Sequence, residues 1–262
     1  MKIAIAGKGG VGKTVIAGCI ARSLASDGYT TLAIDADSSP NLALTLGLSQ
    51  DDAGRIVPVL ENKELIDKKT GTGISGVYNL NFTVDDIVRD YSMPTPAGVH
   101  LLVMGAVKSM GSGCACPGNT VIRSLLRHLV VERDEAVVLD MEAGLEHLGR
   151  GTAEAVDWML VVSDANRKSL MTAATIADIA RKAGIAHIAL VGNRLENKEQ
   201  NAIVSAFASQ HNLQLLGVVP FDAAVEESGI KGSSVLALEG TPAFRAIDDI
   251  RRKLTGKTGG KA

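Results

Sequence analysis

The first fourteen residues limit the possible folds more than any other part of the chain. An apolar run over residues 2–6 leads into a loop with four glycines, and an alanine-rich helical pattern begins at Lys13. Glycines in such a loop allow consecutive backbone N–H groups to face a phosphate, while a following lysine and hydroxyl reach the β/γ-phosphates and Mg²⁺. Residues 7–14 are therefore predicted to form a phosphate-binding loop between a buried strand and a helix.

The residues of this loop have separate predicted parts in binding ATP and Mg²⁺. Lys13 is predicted to contact the β- and γ-phosphates, and the hydroxyl of Thr14 is predicted to bind Mg²⁺. A second lysine, Lys8, is not part of the basic pattern. Two explanations stay open for it: ordinary exposure in a loop, or a cation that reaches phosphates held by a second subunit, as an arginine finger does. The backbone groups predicted to surround the phosphates belong to Gly9, Gly10, Val11 and Gly12.

Short apolar runs alternate with helical patterns along the rest of the chain. The alternation predicts a single α/β P-loop domain at residues 1–254, with a mostly parallel sheet of about seven or eight strands and helices on both faces. Aromatic residues make up only 3% of the sequence, so aliphatic and small side chains must form its core. The predicted strands are 2–6, 31–35, 99–104, 136–140, 158–163, 187–192 and 213–219. The predicted helices are 13–26, 117–131, 167–183, 198–210 and 241–254.

Two segments interrupt this alternation. Residues 51–91 are charged and irregular, and they predict an insertion that contains one or two surface helices and loops. Residues 255–262 end in a short run of glycine and lysine and are predicted to be a flexible tail.

The net charge and the cysteine content limit which binding partners and which cellular compartment are expected. The formal net charge is −2, which does not favour nucleic acid or an anionic membrane as a partner. No apolar run is long enough to cross a bilayer without charges. Three cysteines without a signal peptide argue against a disulfide framework and predict a reducing, cytoplasmic location.

Carboxylates follow two of the predicted strands at the edge where parallel strands open onto a ligand crevice. Asp35 and Asp37 end the second strand, and they are predicted to hold Mg²⁺-bound water and to orient the attacking water. A turn or helix-capping role for the Asp-Ser-Ser-Pro run stays open as the alternative. Asp140 ends a buried apolar strand, which is the Walker B arrangement, and it is predicted to lie near Mg²⁺.

An asparagine follows another predicted strand, in the sequence Gly-Asn-Arg. The amide of Asn193 offers both a donor and an acceptor, which suits the edge of an adenine base. A turn-forming role for this residue stays open.

Two cysteines separated by one residue lie in a glycine-rich loop before a predicted helix. Cys114 and Cys116 can point toward one metal ion, and the helix start favours their thiolates. One such pair supplies two soft ligands, whereas a closed Zn²⁺ site needs four; a symmetric dimer could supply the other two. The same ligands suit Ni²⁺. The alternative is that both are small core residues or unused thiols, as is expected of Cys19 within the first helix.

The nucleotide-site residues together resemble the deviant-Walker ATPases, which include the nitrogenase iron protein, the septum-positioning ATPase MinD and the partition ATPases. The resemblance implies an ATP-sandwiched homodimer in which Lys8 crosses to the partner's phosphates. It implies that Asp37 positions the hydrolytic water. It also implies that Asn193 binds adenine with help from the backbone around Pro220.

The segments 111–117 and 139–151 resemble the nickel-maturation ATPases of carbon monoxide dehydrogenase and acetyl-CoA synthase, the CooC and AcsF branches. This resemblance implies a dimer that binds one Ni²⁺ or Zn²⁺ between two C-x-C loops and helps to deliver nickel to its client enzyme. Glu142, Glu146 and His147 lie in the predicted second switch. They could link the phosphate state to the metal loop or could serve only in ion pairs and capping, so they are not assigned as metal ligands.

Two other functions stay open. A positioning ATPase needs a membrane-targeting helix or a DNA-binding face, but the helix predicted at 241–254 has weak basic character, so membrane recruitment is not expected. A redox ATPase with a bridging iron–sulfur cluster is the third possibility, although its known form has cysteines far apart in sequence.

Overall fold

A computed structural model describes residues 1–37, 39–73, 79, 82–105, 121, 124–129, 135–142, 153 and 155–256. Within them, eight strands form one sheet in the order β3-β4-β2-β5-β1-β6-β7-β8. All neighbouring strands are parallel except the antiparallel pair β3–β4. The predicted mostly parallel sheet is therefore confirmed. The strands are β1 Lys2–Gly7, β2 Thr31–Ala36, β3 Met93–Pro94, β4 His100–Val103, β5 Ala136–Met141, β6 Trp158–Ser163, β7 His187–Leu195 and β8 Gln214–Pro220.

Helices cover both faces of this sheet, as predicted. Two 3₁₀ turns, Val59–Glu61 and Val235–Leu238, accompany them. Of the helix predicted at 117–131, residues 121 and 124–129 are described and are helical. Numbered in chain order, the other described helices are α1 Lys13–Ser26, α2 Leu42–Thr45, α3 Gln50–Arg55, α4 Lys63–Thr70, α5 Asp85–Tyr91, α6 Arg167–Lys182, α7 Lys198–Gln210, α8 Ala223–Lys231 and α9 Pro242–Leu254.

The central strands are buried on both faces, which explains their nearly continuous apolar sequences. In β1, Ile3 and Ile5 belong to a cluster that contains residues of α1 and α9, whereas Ala4 and Ala6 belong to the opposite cluster with residues of α6. β1 lies between β5 and β6 in the middle of the sheet. The loop that follows β1 is therefore held at the centre of the carboxyl edge, with a packed layer on either side.

The charged insertion at 51–91 differs from its prediction. It contains three helices and a 3₁₀ turn rather than one or two surface helices. Leu65 and Ile87 are almost fully buried in the core cluster on one face of the sheet. Lys69 of α4 also donates hydrogen bonds to the carbonyl of Thr83 and to the carboxylate of Asp86. This packing could not be predicted from the few apolar residues among many charges, because it depends on contacts with distant parts of the chain.

The last helix packs its apolar face onto the domain. Ala243, Ile247, Ile250 and Leu254 of α9 are all buried in the core. Arg251 is also buried, and its guanidinium contacts the carboxylates of Asp27 and Asp248 at 2.6 Å each. Among the helices of the described ranges, none has the length and hydropathy needed to cross a membrane.

Candidate nucleotide-binding site

The glycine-rich loop after β1 has the backbone conformation of a phosphate cradle. Gly10 and Gly12 have φ angles of 81° and 91°, a left-handed region that side chains rarely adopt. Gly9 and Gly10 border open space, since a Cβ built on either would have no neighbour within 4 Å. Gly12 precedes α1 and provides no side-chain cap, so the first N–H groups of this helix stay available to an anion.

The two lysines of the loop lie in different surroundings. Lys13, the first residue of α1, is only 6% exposed, whereas Lys8 is exposed at the sheet edge. The buried position suits a cation that contacts phosphates within its own loop. The exposed position is compatible with both explanations for Lys8, so its action in trans stays a prediction.

Two buried carboxylates lie side by side behind the loop. Asp35 and Asp140 occupy paired positions on β2 and β5, and both are fully buried. Neither oxygen of Asp140 has a hydrogen-bond partner within the part of the chain that the structure describes. The pKa of Asp140 is raised to about 7, mainly by burial and also by the charges of Asp35 and Asp37, while the nearby Thr14 hydroxyl and Lys13 oppose the rise. The Thr14 hydroxyl is thus close enough to favour the charged form of the Asp140 carboxylate, although the two groups do not form a hydrogen bond in the described structure.

This arrangement fits a magnesium ion. A buried carboxylate with unused oxygen lone pairs, next to a hydroxyl and beside a phosphate cradle, is the type of ligand set that hard divalent cations prefer. Thr14 and Asp140 are the residues that would hold the ion, directly or through water. Their assignment as Mg²⁺ ligands stays a prediction that this geometry favours.

Asp35 has a contact that the sequence did not reveal. Its Oδ1 accepts a hydrogen bond from the backbone N–H of Asp37 at 3.2 Å, and its Oδ2 accepts one from Leu42 at 2.9 Å. Burial raises its pKa to about 6, although these backbone donors oppose the rise. The side chain therefore holds the loop between β2 and α2, and its predicted contact with Mg²⁺-bound water stays untested.

Asp37 begins that loop and makes a turn-forming contact, while its predicted role in orienting water stays a prediction. Its Oδ1 accepts a hydrogen bond from the backbone N–H of Ser39 at 2.9 Å, which is a turn-forming contact. Its charge also raises the pKa of the two buried carboxylates, Asp35 and Asp140, so it lies near both. The sheet edge beside the glycine loop is therefore rich in negative charge, which favours the binding of cations.

A cavity of about 230 Å³ adjoins the glycine loop on the side of β7 and β8. Asn193 lies within β7, which extends to Leu195, and not in a turn after a strand that ends at residue 192. Its Nδ2 donates a hydrogen bond of 2.6 Å to the backbone carbonyl of Val11. The cavity is lined mainly by apolar groups, which suits a planar base; its walls include Val15, Ile16, Asn193, Val219, Pro220 and Phe221.

Asp222 fixes one wall of this cavity by capping two helices at once. Its Oδ1 accepts a hydrogen bond from Ala224 of α8, and its Oδ2 accepts one from Ala243 of α9, each at 3.0 Å. Neither this residue nor α8 was predicted from the sequence. The aspartate before a helical pattern was the available signal, but α8 has no buried residues and therefore shows no apolar periodicity.

We expect Asp222→Ala to lower the free energy of unfolding by about 1–2 kcal/mol, because α8 loses its cap and the N–H of Ala243 in α9 loses its acceptor, although Thr241 still caps α9. Urea denaturation followed by circular dichroism measures the change. Asn197→Ala removes a single exposed cap from α7 and is the matched control, with a smaller expected loss. An Asp222→Ala midpoint equal to that of the unsubstituted protein would contradict the double-cap interpretation.

The predicted nickel or zinc site lies outside the described residues, which do not include Cys114, Cys116, Glu146 or His147. Within the described ranges, no group of three or more His, Cys, Asp or Glu side chains could hold a metal ion. Cys19 is 1% exposed within α1, and burial raises the pKa of its thiol. The prediction that Cys19 is a small core residue is confirmed.

Comparisons with known proteins agree with this geometry. The family described as the CobQ/CobB/MinD/ParA nucleotide-binding domain matches residues 2–235, which include the glycine loop, both buried carboxylates and Asn193. The carbon monoxide dehydrogenase accessory protein CooC of Rhodospirillum rubrum is 41% identical over 247 residues, covering 94% of this chain and 92% of that protein. An ATP-binding protein of Methanocaldococcus jannaschii is 38% identical over 238 residues, covering 90% of this chain and 91% of its own. The MinC:MinD cell division complex of Aquifex aeolicus has a matching fold, with a TM-score of 0.72 at 18% identity over 100% of this chain and 98% of that chain.

Proposed function

Because the chain belongs to the CobQ/CobB/MinD/ParA nucleotide-binding family and is a P-loop ATPase, we propose that it is an ATP-dependent maturation factor for a nickel enzyme. In this proposal a homodimer binds Ni²⁺ or Zn²⁺ between its two C-x-C loops and assists nickel insertion into carbon monoxide dehydrogenase or acetyl-CoA synthase. The observation that carries the proposal is the 41% identity to a carbon monoxide dehydrogenase accessory protein, which extends over 94% of the chain.

The geometry of the cradle supports a specific mode of ATP binding. The loop N–H groups and Lys13 contact the phosphates, while the apolar cavity beside Asn193 and Pro220 receives the base. Thr14 and Asp140 would hold Mg²⁺, and the ion would neutralise charge on the β- and γ-phosphates. Asp37 orients the attacking water, and Asp35 keeps the loop that carries Asp37 in place through its two backbone contacts.

Coupling of ATP to the metal depends on a second copy of the chain. Lys8 is exposed, so a partner subunit that meets this edge can receive its ammonium group at the γ-phosphate. Loss of that phosphate removes the contact and loosens the interface, as in other nucleotide-controlled switches. In this scheme the C-x-C loops approach each other when ATP closes the dimer and separate after hydrolysis.

The metal ion is the cargo of this scheme. Two thiolates from each subunit make a four-sulfur set, which suits Zn²⁺ and Ni²⁺ better than it suits hard cations. Such thiolates persist in a reducing compartment. Positioning at a membrane receives no support from α9, because its apolar face is packed in the core.

The proposal is tested by anaerobic metal analysis on size-separated protein without nucleotide, with ADP and with ATP. We expect about one Ni²⁺ or Zn²⁺ per dimer and a larger dimer fraction with ATP. In a second arm, nickel-free carbon monoxide dehydrogenase or acetyl-CoA synthase receives Ni²⁺ together with this protein, with or without ATP. Activation of neither client, or activation that does not depend on ATP, would contradict the proposed function.

A further inference from the structure

The side chain of Asn193 connects the base cavity to the phosphate cradle. It is 7% exposed, and its Nδ2 donates the 2.6 Å hydrogen bond to the carbonyl of Val11, in the middle of the glycine loop. A Cβ on Gly12 would overlap this same amide nitrogen, so Gly12 is the residue that allows the approach. The Asn193 amide therefore donates to Val11, which lies 182 positions earlier in the sequence, and also lies against Gly12.

The backbone around Asn193 is irregular. Arg194 has a φ of 59°, a left-handed conformation that is uncommon for a residue with a side chain. The pairing of β7 with β8 also shifts register between Gly192 and Leu195. Such conformations persist only when the surrounding structure imposes them, and they concentrate at functional sites.

We infer that Asn193 is a positioning residue for the phosphate-binding loop, in addition to any contact with the base. An asparagine amide has two donor hydrogens and one acceptor oxygen. One hydrogen is used by Val11, while the residue also lines the cavity proposed for the base. The inference rests on the proposed nucleotide site, and it implies that this amide sets the direction of the loop N–H groups even when no base is present.

Two substitutions together separate the two roles: Asn193→Asp and Asn193→Ala. Aspartate has nearly the same size and keeps an acceptor for the amino group of adenine. It replaces the donor with an oxygen, which would repel the carbonyl of Val11. Asn197→Asp is the matched control, because it makes the same chemical change at an exposed helix cap four residues later and keeps the capping oxygen.

The probes are Mg-ATP and Mg-tripolyphosphate, which has no base, each measured by titration calorimetry. We expect Asn193→Asp to lower the affinity for both probes by about tenfold or more, as loss of a buried hydrogen bond implies. Asn197→Asp should lower the affinity for neither. Hydrogen exchange of the peptide that covers residues 8–14 should also become faster in ligand-free Asn193→Asp.

A lower affinity for ATP alone, with unchanged tripolyphosphate affinity and unchanged hydrogen exchange of the loop, would show that Asn193 acts only on the base. That result would overturn the inference. Failure of the unsubstituted protein to bind either probe would instead contradict the proposed nucleotide site. Asn193→Ala is measured beside Asn193→Asp, and it replaces that variant if circular dichroism shows that the aspartate variant does not fold. Alanine removes the donor without adding a charge near the phosphates, so unchanged tripolyphosphate affinity in Asn193→Ala would also overturn the inference.

Discussion

Cys114→Ser and Cys116→Ser are each expected to reduce bound Ni²⁺ or Zn²⁺ from about one ion per dimer to nearly none. Thiolates are strong ligands for these metals, whereas a serine hydroxyl remains protonated and binds them poorly. Each substitution removes two of the four sulfurs from a symmetric dimer, because both subunits carry it. Binding of ATP should be unchanged, since the glycine loop and both buried carboxylates remain intact.

Metal content is measured by mass spectrometry after anaerobic gel filtration, and ATP affinity by calorimetry on the same preparations. Cys19→Ala is the matched control, because this third cysteine is buried within α1. It should keep the metal content of the unsubstituted protein. Full metal occupancy in both serine variants would exclude the C-x-C pair as the metal site.

Lys8→Ala is expected to lower the rate of ATP hydrolysis on the order of a thousandfold, the effect of removing a cation supplied in trans. ADP binding should change little, because Lys8 is exposed and is not enclosed by its own loop. Lys13→Ala is the contrasting variant. This lysine is 6% exposed at the cradle, so its loss should weaken nucleotide binding itself.

A mixture of two inactive variants decides whether Lys8 acts on its own subunit or on the partner. Asp37→Asn should be inactive alone, because it lacks the carboxylate proposed to orient water. In a mixed dimer, the Lys8→Ala subunit keeps its own Asp37 and receives Lys8 from the Asp37→Asn subunit. We expect hydrolysis to return at one site per mixed dimer. If mixing restores no activity while mixed dimers form, Lys8 acts within its own subunit.

Short stretches of sequence were enough to predict the parts of the fold that depend on residues close together in the chain. Glycines at 7, 9, 10 and 12 between an apolar run and a helical pattern predicted the cradle, and helix α1 and strand β6 have the predicted bounds. Long apolar runs identify strands that are buried on both faces. Asp35 and Asp140 were predicted at one edge because parallel strands end together, and the structure places them in register.

Only the tertiary structure revealed the contacts between residues that are distant in sequence. The contact of Asn193 with the carbonyl of Val11 spans 182 positions, and no local pattern encodes it. The burial of α4 and α5 in the core and the double cap by Asp222 arise in the same way. A sequence shows which groups can donate, accept or be buried. Packing determines which of them meet, because most buried polar groups find their partners in the folded chain.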